Sequence, residues 1–273
     1  MTNDSAVAVI NRPSTKSPAE IEAMREACKL AARTLKMAGE LVKPGISTEH
    51  INEAVHQYTL DNNAVPAPLG YGEDKERGIP PFPKSVCTSL NEVICHGIPS
   101  PTDILKDGDI INIDVTCILD GFHGDTSRTF FVGEVSPEAK QLVEVTWNCM
   151  HKGIETIRPD SRVRDIGTAI QDYAERFGYG VVREYVGHGI GRTFHEMPQI
   201  PHCKTSGPTL RLREGMIFTV EPMINIGTHE TVLDADDGRT VRTRDGQLSA
   251  QFEHTVLVTA DGHDILTDWK YIE

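Results

Sequence analysis

The chain has 273 residues, 38% of them hydrophobic, enough to bury one sizeable core as domains of this length do. Forty acidic residues against 27 basic ones leave a formal net charge of −13, which argues against a phosphate-binding groove and so against a specific nucleic-acid partner. No stretch approaches the ~18 apolar residues that span a bilayer, and the start Met1-Thr2-Asn3-Asp4 lacks the basic n-region of a secretion signal, so the expectation is a cytoplasmic protein with no membrane attachment.

Residues 1–16 are polar and irregular and read as a loosely held tail, with residues 17–273 as a single domain. Ser17-Pro18-Ala19-Glu20 reads as a capping box with Pro18 at the first helical position. Ile21, Met24, Cys28, Ala31, Ala32 and Leu35 follow at helical spacing. Lys43-Pro44-Gly45 breaks that helix, and Ser47 caps a second one with Ile51, Ala54, Val55 and Tyr58 on its apolar face. The unit recurs. Ser136-Pro137 opens a helix carrying Leu142, Val143, Cys149 and Met150; Arg158-Pro159-Asp160 breaks it; Ile166, Ala169, Ile170, Tyr173 and Phe177 mark another helix. Pro44, Ile51, Ala54 and Tyr58 match Pro159, Ile166, Ala169 and Tyr173 at a constant offset of 115 positions, a sign of internal duplication. Alternating strands are expected over 109–119, 122–132, 216–221 and 248–258. Helical pairs each followed by antiparallel strands predict an α+β domain with helices laid against one sheet. Six cysteines (Cys28, Cys87, Cys95, Cys117, Cys149 and Cys203) include no CxxC pair, which favours reduced, mostly buried thiols over a zinc ribbon.

The chemistry concentrates in a hairpin. Over 109–119, Ile111, Ile113, Val115, Cys117 and Leu119 make one face, while Asn112, Asp114 and Thr116 share the other with Ile110 and Ile118. Asp120-Gly121 is a two-residue hairpin turn. It sets Leu119 opposite Phe122, Thr116 opposite Asp125 and Asp114 opposite Ser127, so Asp114 and Asp125 become diagonal neighbours. Either aspartate alone reads as a solvated surface residue. As a pair they repel unless a cation lies between them, and they look like ligands for a hard or borderline divalent ion.

Other candidates follow along the chain. Gly187-His188-Gly189-Ile190-Gly191 is a glycine-rich turn with one imidazole; no helix follows, so it is not a phosphate cradle. A hydrogen-bonded loop histidine and a metal ligand are both open there. Glu221 and Glu253 stand in apolar strands, where acids are rarely buried unless paired or coordinating; a structural salt bridge is the alternative for each. His96, after Val93-Ile94-Cys95, reads on spacing alone as a core histidine.

Together these segments resemble the type I methionine aminopeptidases of the pita-bread fold. The matching runs are Lys84-Ser85-Val86-Cys87, Asn91 to Pro99, Asn112 to Val115, Gly124 to Ser127, Gly187 to Gly191, Phe194-His195-Glu196 with Pro198, Val220 to Met223 and Gln251 to Thr255. They extend, with the helical regions, from about Ser17 to the C-terminus. The resemblance implies a pseudo-two-fold central antiparallel sheet covered by two pairs of helices. It implies two divalent ions (cobalt, manganese, iron or zinc) held by Asp114, Asp125, His188, Glu221 and Glu253, with Asp125 and Glu253 bridging them and a water or hydroxide between them as nucleophile. Glu221 would shuttle the proton, His195 would bind the scissile carbonyl or developing oxyanion, and His96 the substrate amide. Tyr71, Phe82, Phe194 and Cys87 would line the methionine pocket. Backbone carbonyls of Asn91, Val93 and Ser249 would form a monovalent-cation site. The substrate would be the N-terminal methionine of nascent polypeptides with a small second residue, processed by a monomer in transient association with the ribosome.

Prolidase-like and aminopeptidase P-like relatives carry a large N-terminal domain, whereas about sixteen residues precede the first helix here. A non-catalytic binding protein of the same fold would have lost ligands, and all five are kept; a structural metal protein without turnover is the third rival. Three departures from the common bacterial pattern bear on the pocket. Gly72 to Pro81 forms a longer, charged loop with a lid or rim role, Pro68 replaces a cysteine, and Arg239 stands where a tryptophan is usual.

Overall fold

The computed structural model describes residues 13–76 and 78–272. Helix α1 (Pro18–Glu40) starts where the capping box sets it: Ser17 Oγ accepts from Glu20 N at 3.4 Å, and the Glu20 carboxylate accepts from Ser17 N at 2.9 Å. Ser47 caps α2 (Thr48–Asp61) by accepting from His50 N, without the reciprocal bond. Ser136 caps α3 (Pro137–Ile154), and α4 (Val163–Ala174) completes the second pair. The last helix is shorter than its pattern predicts. A 3-10 turn over Glu175–Phe177 closes on Gly178 at φ 75°, which leaves Phe177 40% exposed instead of on the helix's buried stripe.

The strands are β1 (Val65–Pro66), β2 (Cys87–Leu90), β3 (Val93–Cys95), β4 (Ile110–Leu119), β5 (Phe122–Phe131), β6 (Gly180–Val181), β7 (Gly187–Gly189), β8 (Glu196–Ile200), β9 (Ile217–Val220), β10 (Met223–Asn225), β11 (Thr231–Leu233), β12 (Val241–Thr243), β13 (Ser249–Val258) and β14 (His263–Ile265). Among the described residues, the large antiparallel sheet runs β1-β4-β5-β13-β9-β7-β8, with β2 on β4, β10 and β14 on β13, and β6 on β10. A small sheet, β11-β12-β3, stands beside it. The segment 187–189, expected as a turn, is therefore a short strand; its glycines admit Thr219 and Met197 backbone atoms that any Cβ would meet within about 2.4 Å.

The alternating hairpin pattern explains which face is covered. Ile111, Ile113, Val115 and Cys117 of β4 pack with Leu30, Leu35, Ile51 and Val55 of the first helical pair. Phe218, Val220 and Val256 do the same against Leu142, Met150, Ile166 and Ile170 of the second. Three of the four matched positions are buried alike: Ile51 and Ile166 are both fully buried, and Ala54 with Ala169 and Tyr58 with Tyr173 are half-buried, whereas Pro44 is exposed and Pro159 half-buried. Gly124 of β5 is where α1 comes closest, since a Cβ there would lie 2.3 Å from Ala27 backbone atoms. The halves join where β5 pairs with β13, and the opposite face of that seam is left for polar side chains.

Residues 1–12 of the expected tail lie outside the described residues. Its last residues are held: Lys16 N donates to Gly215 O at 2.7 Å, and Lys16 Nζ pairs with Glu196, which also accepts from Ser14 Oγ at 3.0 Å.

Candidate active site

Register alone assembles the site. On β4 and β5, Thr116 lies opposite Asp125 and Asp114 opposite Ser127, the pairing that the Asp120-Gly121 turn predicts. Across the seam, Glu253 lies opposite Ser127, and Thr255 donates its hydroxyl to Asp125 O at 2.8 Å. Asp125 thus has Asp114 as its diagonal neighbour on one side and Glu253 on the other. His254 lies opposite Val220 on β9, which brings Glu221 beside Glu253 at the next step. His188 on β7 is fixed against β9 through its amide, which donates to Thr219 Oγ1 at 2.9 Å. Strands β4, β5, β13 and β7 each deliver one donor side chain to this region, and Glu221, the residue after β9, supplies the fifth.

The geometry there is tight. Donor atoms of Asp125, His188 and Glu253 lie within 4.8 Å of one another, and all three residues are buried. His188 Nε2 is 3.8 Å from Asp125 Oδ2 and 3.6 Å from Glu221 Oε1. Two of the acids keep an outer partner: Thr116 Oγ1 donates to Asp125 Oδ1 at 2.7 Å, and Thr219 Oγ1 to Glu221 Oε1 at 2.7 Å. Gln251 Nε2 donates to Glu221 Oε2 at 3.3 Å.

The electrostatics call for a cation. Burial pushes the Asp114 carboxyl up to about 7 and Glu221 up to about 8, and holds Asp125 and Glu253 well above the carboxylate range, with the neighbouring acids adding to the last three. Burial lowers His188 to about 4, so its ring is neutral. With Nδ1 donating to Gly189 O at 3.1 Å, the lone pair of Nε2 faces the carboxylates. Acceptors face acceptors, and Arg239 is the one Lys or Arg lining the cavity among the described residues. Carboxylates and a neutral imidazole stripped of counter-charge suit a divalent ion.

The five donors form the floor of a cavity of about 360 Å³. Its walls carry the other candidates: Tyr71, Phe82, Cys87, His96, Phe194 and His195, with Pro68 and Arg239. Tyr71 Oη and His195 Nδ1 are 2.6 Å apart. The Phe194 ring lies 4.9 Å from that of Tyr71 and 4.2 Å from that of His195. Burial, with His188 and His96 adding, lowers His195 to about 3. The reading of His96 as a core histidine is corrected. With φ of 57° at its Cα the chain turns there, and the ring opens to the cavity while protein around it lowers its pKa to about 4. Burial and the nearby Asp114 carboxylate raise the Cys87 thiol well above its usual range, which keeps it protonated and poorly nucleophilic.

Asn91, Val93 and Ser249 lie away from this floor. Asn91, at φ 51°, accepts from Ser249 N at 2.9 Å. Ser249 Oγ is buried without a hydrogen-bond partner among the described residues. Sequence reasoning missed His202, whose Nε2 accepts from Glu221 N at 3.1 Å; it follows Pro201 in a segment with no periodicity, which gives no signal. Thr116, Thr219 and Gln251 were readable only through the strand register.

The profile of metallopeptidase family M24 matches residues 22–260. Methionine aminopeptidase A of Synechocystis is 55% identical over 248 residues, spanning 91% of this chain and 94% of that one. The crystal structure of methionine aminopeptidase from Rickettsia prowazekii superposes with a TM-score of 0.89 at 51% identity, over 94% of this chain and 100% of that one. Prolidase from Pyrococcus furiosus, at 22% identity and a TM-score of 0.74 over 93% of this chain and 65% of that one, shares the fold.

Proposed function

Because this chain belongs to metallopeptidase family M24, we propose that it is a methionine aminopeptidase that removes the initiator methionine when the next residue is small. The observation that carries this reading is the convergence of Asp114, Asp125, His188, Glu221 and Glu253 under a pocket walled by Tyr71, Phe82 and Phe194. At about 360 Å³ the cavity lies near the lower end of ligand pockets, which run from about 300 to 1,000 Å³, and suits one side chain and a short neighbour. Residues 17–273 act as one catalytic unit.

Two divalent ions held by Asp114, Asp125, His188, Glu221 and Glu253 would supply Lewis acidity and lower the pKa of water to about 7. Glu221 accepts the proton of the attacking water and returns it to the leaving amine. Burial keeps His195 neutral and Tyr71 un-ionised. With Tyr71 donating to Nδ1, His195 carries its proton on Nε2, the nitrogen left to hydrogen-bond the scissile carbonyl. His96 binds the substrate amide. Asp114 receives the free α-amine, which restricts cleavage to a chain terminus. Cobalt, manganese, iron and zinc all fit the donor set, and availability decides among them. A monovalent cation on the carbonyls of Asn91, Val93 and Ser249 would bring an oxygen-seeking charge near the unpartnered Ser249 Oγ. No helix of the described residues is long and apolar enough to cross a membrane. A cytoplasmic monomer that meets nascent chains at the ribosome is part of the same proposal.

The test is selectivity. Metal-loaded protein should release methionine from Met-Ala-Ser and leave Met-Lys-Ser essentially intact, measured as free methionine; equal rates would end the reading. Thr219→Val, which removes the hydroxyl donated to Glu221, should weaken metal affinity about 10- to 100-fold in a chelator titration, as loss of an outer partner does. Unchanged affinity would show that this hydroxyl does not support the site.

A further inference from the structure

Two departures from the family pattern, the 72–81 loop and Arg239, turn out to be one device. The loop is a hairpin grown from two pocket residues. Phe82 N donates to Tyr71 O at 2.9 Å, and further out Asp74 and Ile79 exchange backbone hydrogen bonds of 2.9 and 2.8 Å. Tyr71 and Phe82 at its base line the cavity. Arg239 approaches from the connection between β11 and β12, where Asp237 Oδ1 accepts from both Arg239 N, at 2.7 Å, and Thr240 N, at 2.8 Å. From that fixed backbone the guanidinium reaches both arms of the hairpin. Arg239 Nη2 donates to Gly72 O at 2.7 Å and also to Pro80 O, which accepts from Nε at 3.1 Å as well.

Each part of the contact has a physical reason. Pro80 has no N–H, so its arm of the hairpin offers a carbonyl and no donor there. A planar fork of donors can bond two carbonyls at once, which the single ammonium of lysine cannot do with the same geometry. Gly72 has φ of +72°, and a Cβ there would lie 3.2 Å from Nη1, so glycine both adopts the turn and makes room for the arginine.

We propose that Arg239 is a positioning residue for methionine binding: by clasping both arms of the 72–81 hairpin it holds Tyr71 and Phe82 as one wall of the pocket. The hydrogen bond from Tyr71 to His195 ties that wall to the carbonyl-binding side of the site. The proposal rests on the aminopeptidase reading for its substrate, but the clasp itself is independent of substrate and metal. The competing role for Arg239 is direct contact with the substrate chain, since Nη1 has no hydrogen-bond partner among the described residues.

Limited trypsinolysis of the metal-free protein tests the clasp. Arg239→Gln should speed cleavage after the exposed Lys75 by about tenfold or more, a change equal to the loss of one or two hydrogen bonds, while Arg239→Lys restores only part of the protection. On metal-loaded enzyme, Arg239→Gln should raise KM for Met-Ala-Ser by about tenfold with a smaller change in kcat. In a variant with 72–81 replaced by a Gly-Ser turn, which removes Gly72 and Pro80 and with them both carbonyl acceptors, Arg239→Gln should add no further rise in KM. Wild-type cleavage at Lys75 in Arg239→Gln would overturn the clasp, even if the shortened variant does not fold. An equal KM rise in the shortened background would assign Arg239 to direct substrate contact instead.

Discussion

Glu221→Gln should lower kcat on a methionyl peptide by about 10³-fold or more, at the upper part of the range for a positioned acid–base group. The substitution keeps shape and most hydrogen bonds. Thr219 Oγ1 still finds an acceptor, and Gln251, whose Oε1 has no partner among the described residues, can turn its amide to receive the new N–H. What disappears is the group proposed to take the proton from water, together with one charge of the donor set. A proton acceptor matters in the transition state more than in the ground state, so kcat and kcat/KM should fall together and KM should move little. Metal analysis run beside the kinetics separates lost ligation from lost proton transfer. A variant that keeps its metal and more than about a tenth of wild-type kcat would remove Glu221 from the acid–base role.

The metal-free protein should be most stable near pH 6 and weaken on both sides. Asp114 is pushed up to about 7 and Glu221 to about 8 by burial, and Asp125 and Glu253 are raised well above their usual values. From about pH 4.5 upward the unfolded chain has released these protons while the folded one holds them. Stability then falls with rising pH until the folded groups ionise, by about 1.4 kcal/mol per pH unit for each proton held. The histidines act in the opposite sense. His96 and His188 are lowered to about 4, and His195, His202 and His254 to about 3, so below about pH 6.5 the unfolded chain binds protons that the folded one refuses. Stability on that side is lost as pH falls. A saturating divalent ion should abolish the alkaline decline, because the carboxylates then ionise against a cation, and should help little at pH 5, where protons compete for the same oxygens. Calorimetric melts from pH 5 to 9, in chelator and in manganese, would show this. A metal-free Tm that is flat or rising between pH 6 and 9 would contradict it.

Much of this was legible in the residues. The helices announced themselves because serine, proline and a glutamate three residues on leave local signatures at Ser17 and Ser136 that need no tertiary context. The ten-residue strands β4 and β5 alternate long enough to fix a face, and the Asp120-Gly121 turn converts that into a register. The donors could be singled out because acids inside apolar strands need a reason to be there. Strands of two or three residues, such as β1, β6 and β7, hold too little sequence for any period to show. The pairing of β5 with β13 joins segments more than a hundred residues apart, and nothing local specifies it. His96 was misread because a positive φ turns its ring out of the run in which spacing placed it. Arg239 was visible as a substitution, but its partners at Gly72 and Pro80 lie 167 and 159 residues away, beyond what spacing can report.

The seam between the duplicated halves has one more implication. Asp114 and Asp125 belong to the first repeat; His188, Glu221 and Glu253 belong to the second. On the proposed ligand set, neither repeat owns enough oxygen and nitrogen to capture a pair of ions, so a chain with only one of them folded should stay inert, and hydrolytic power should arrive together with the finished molecule.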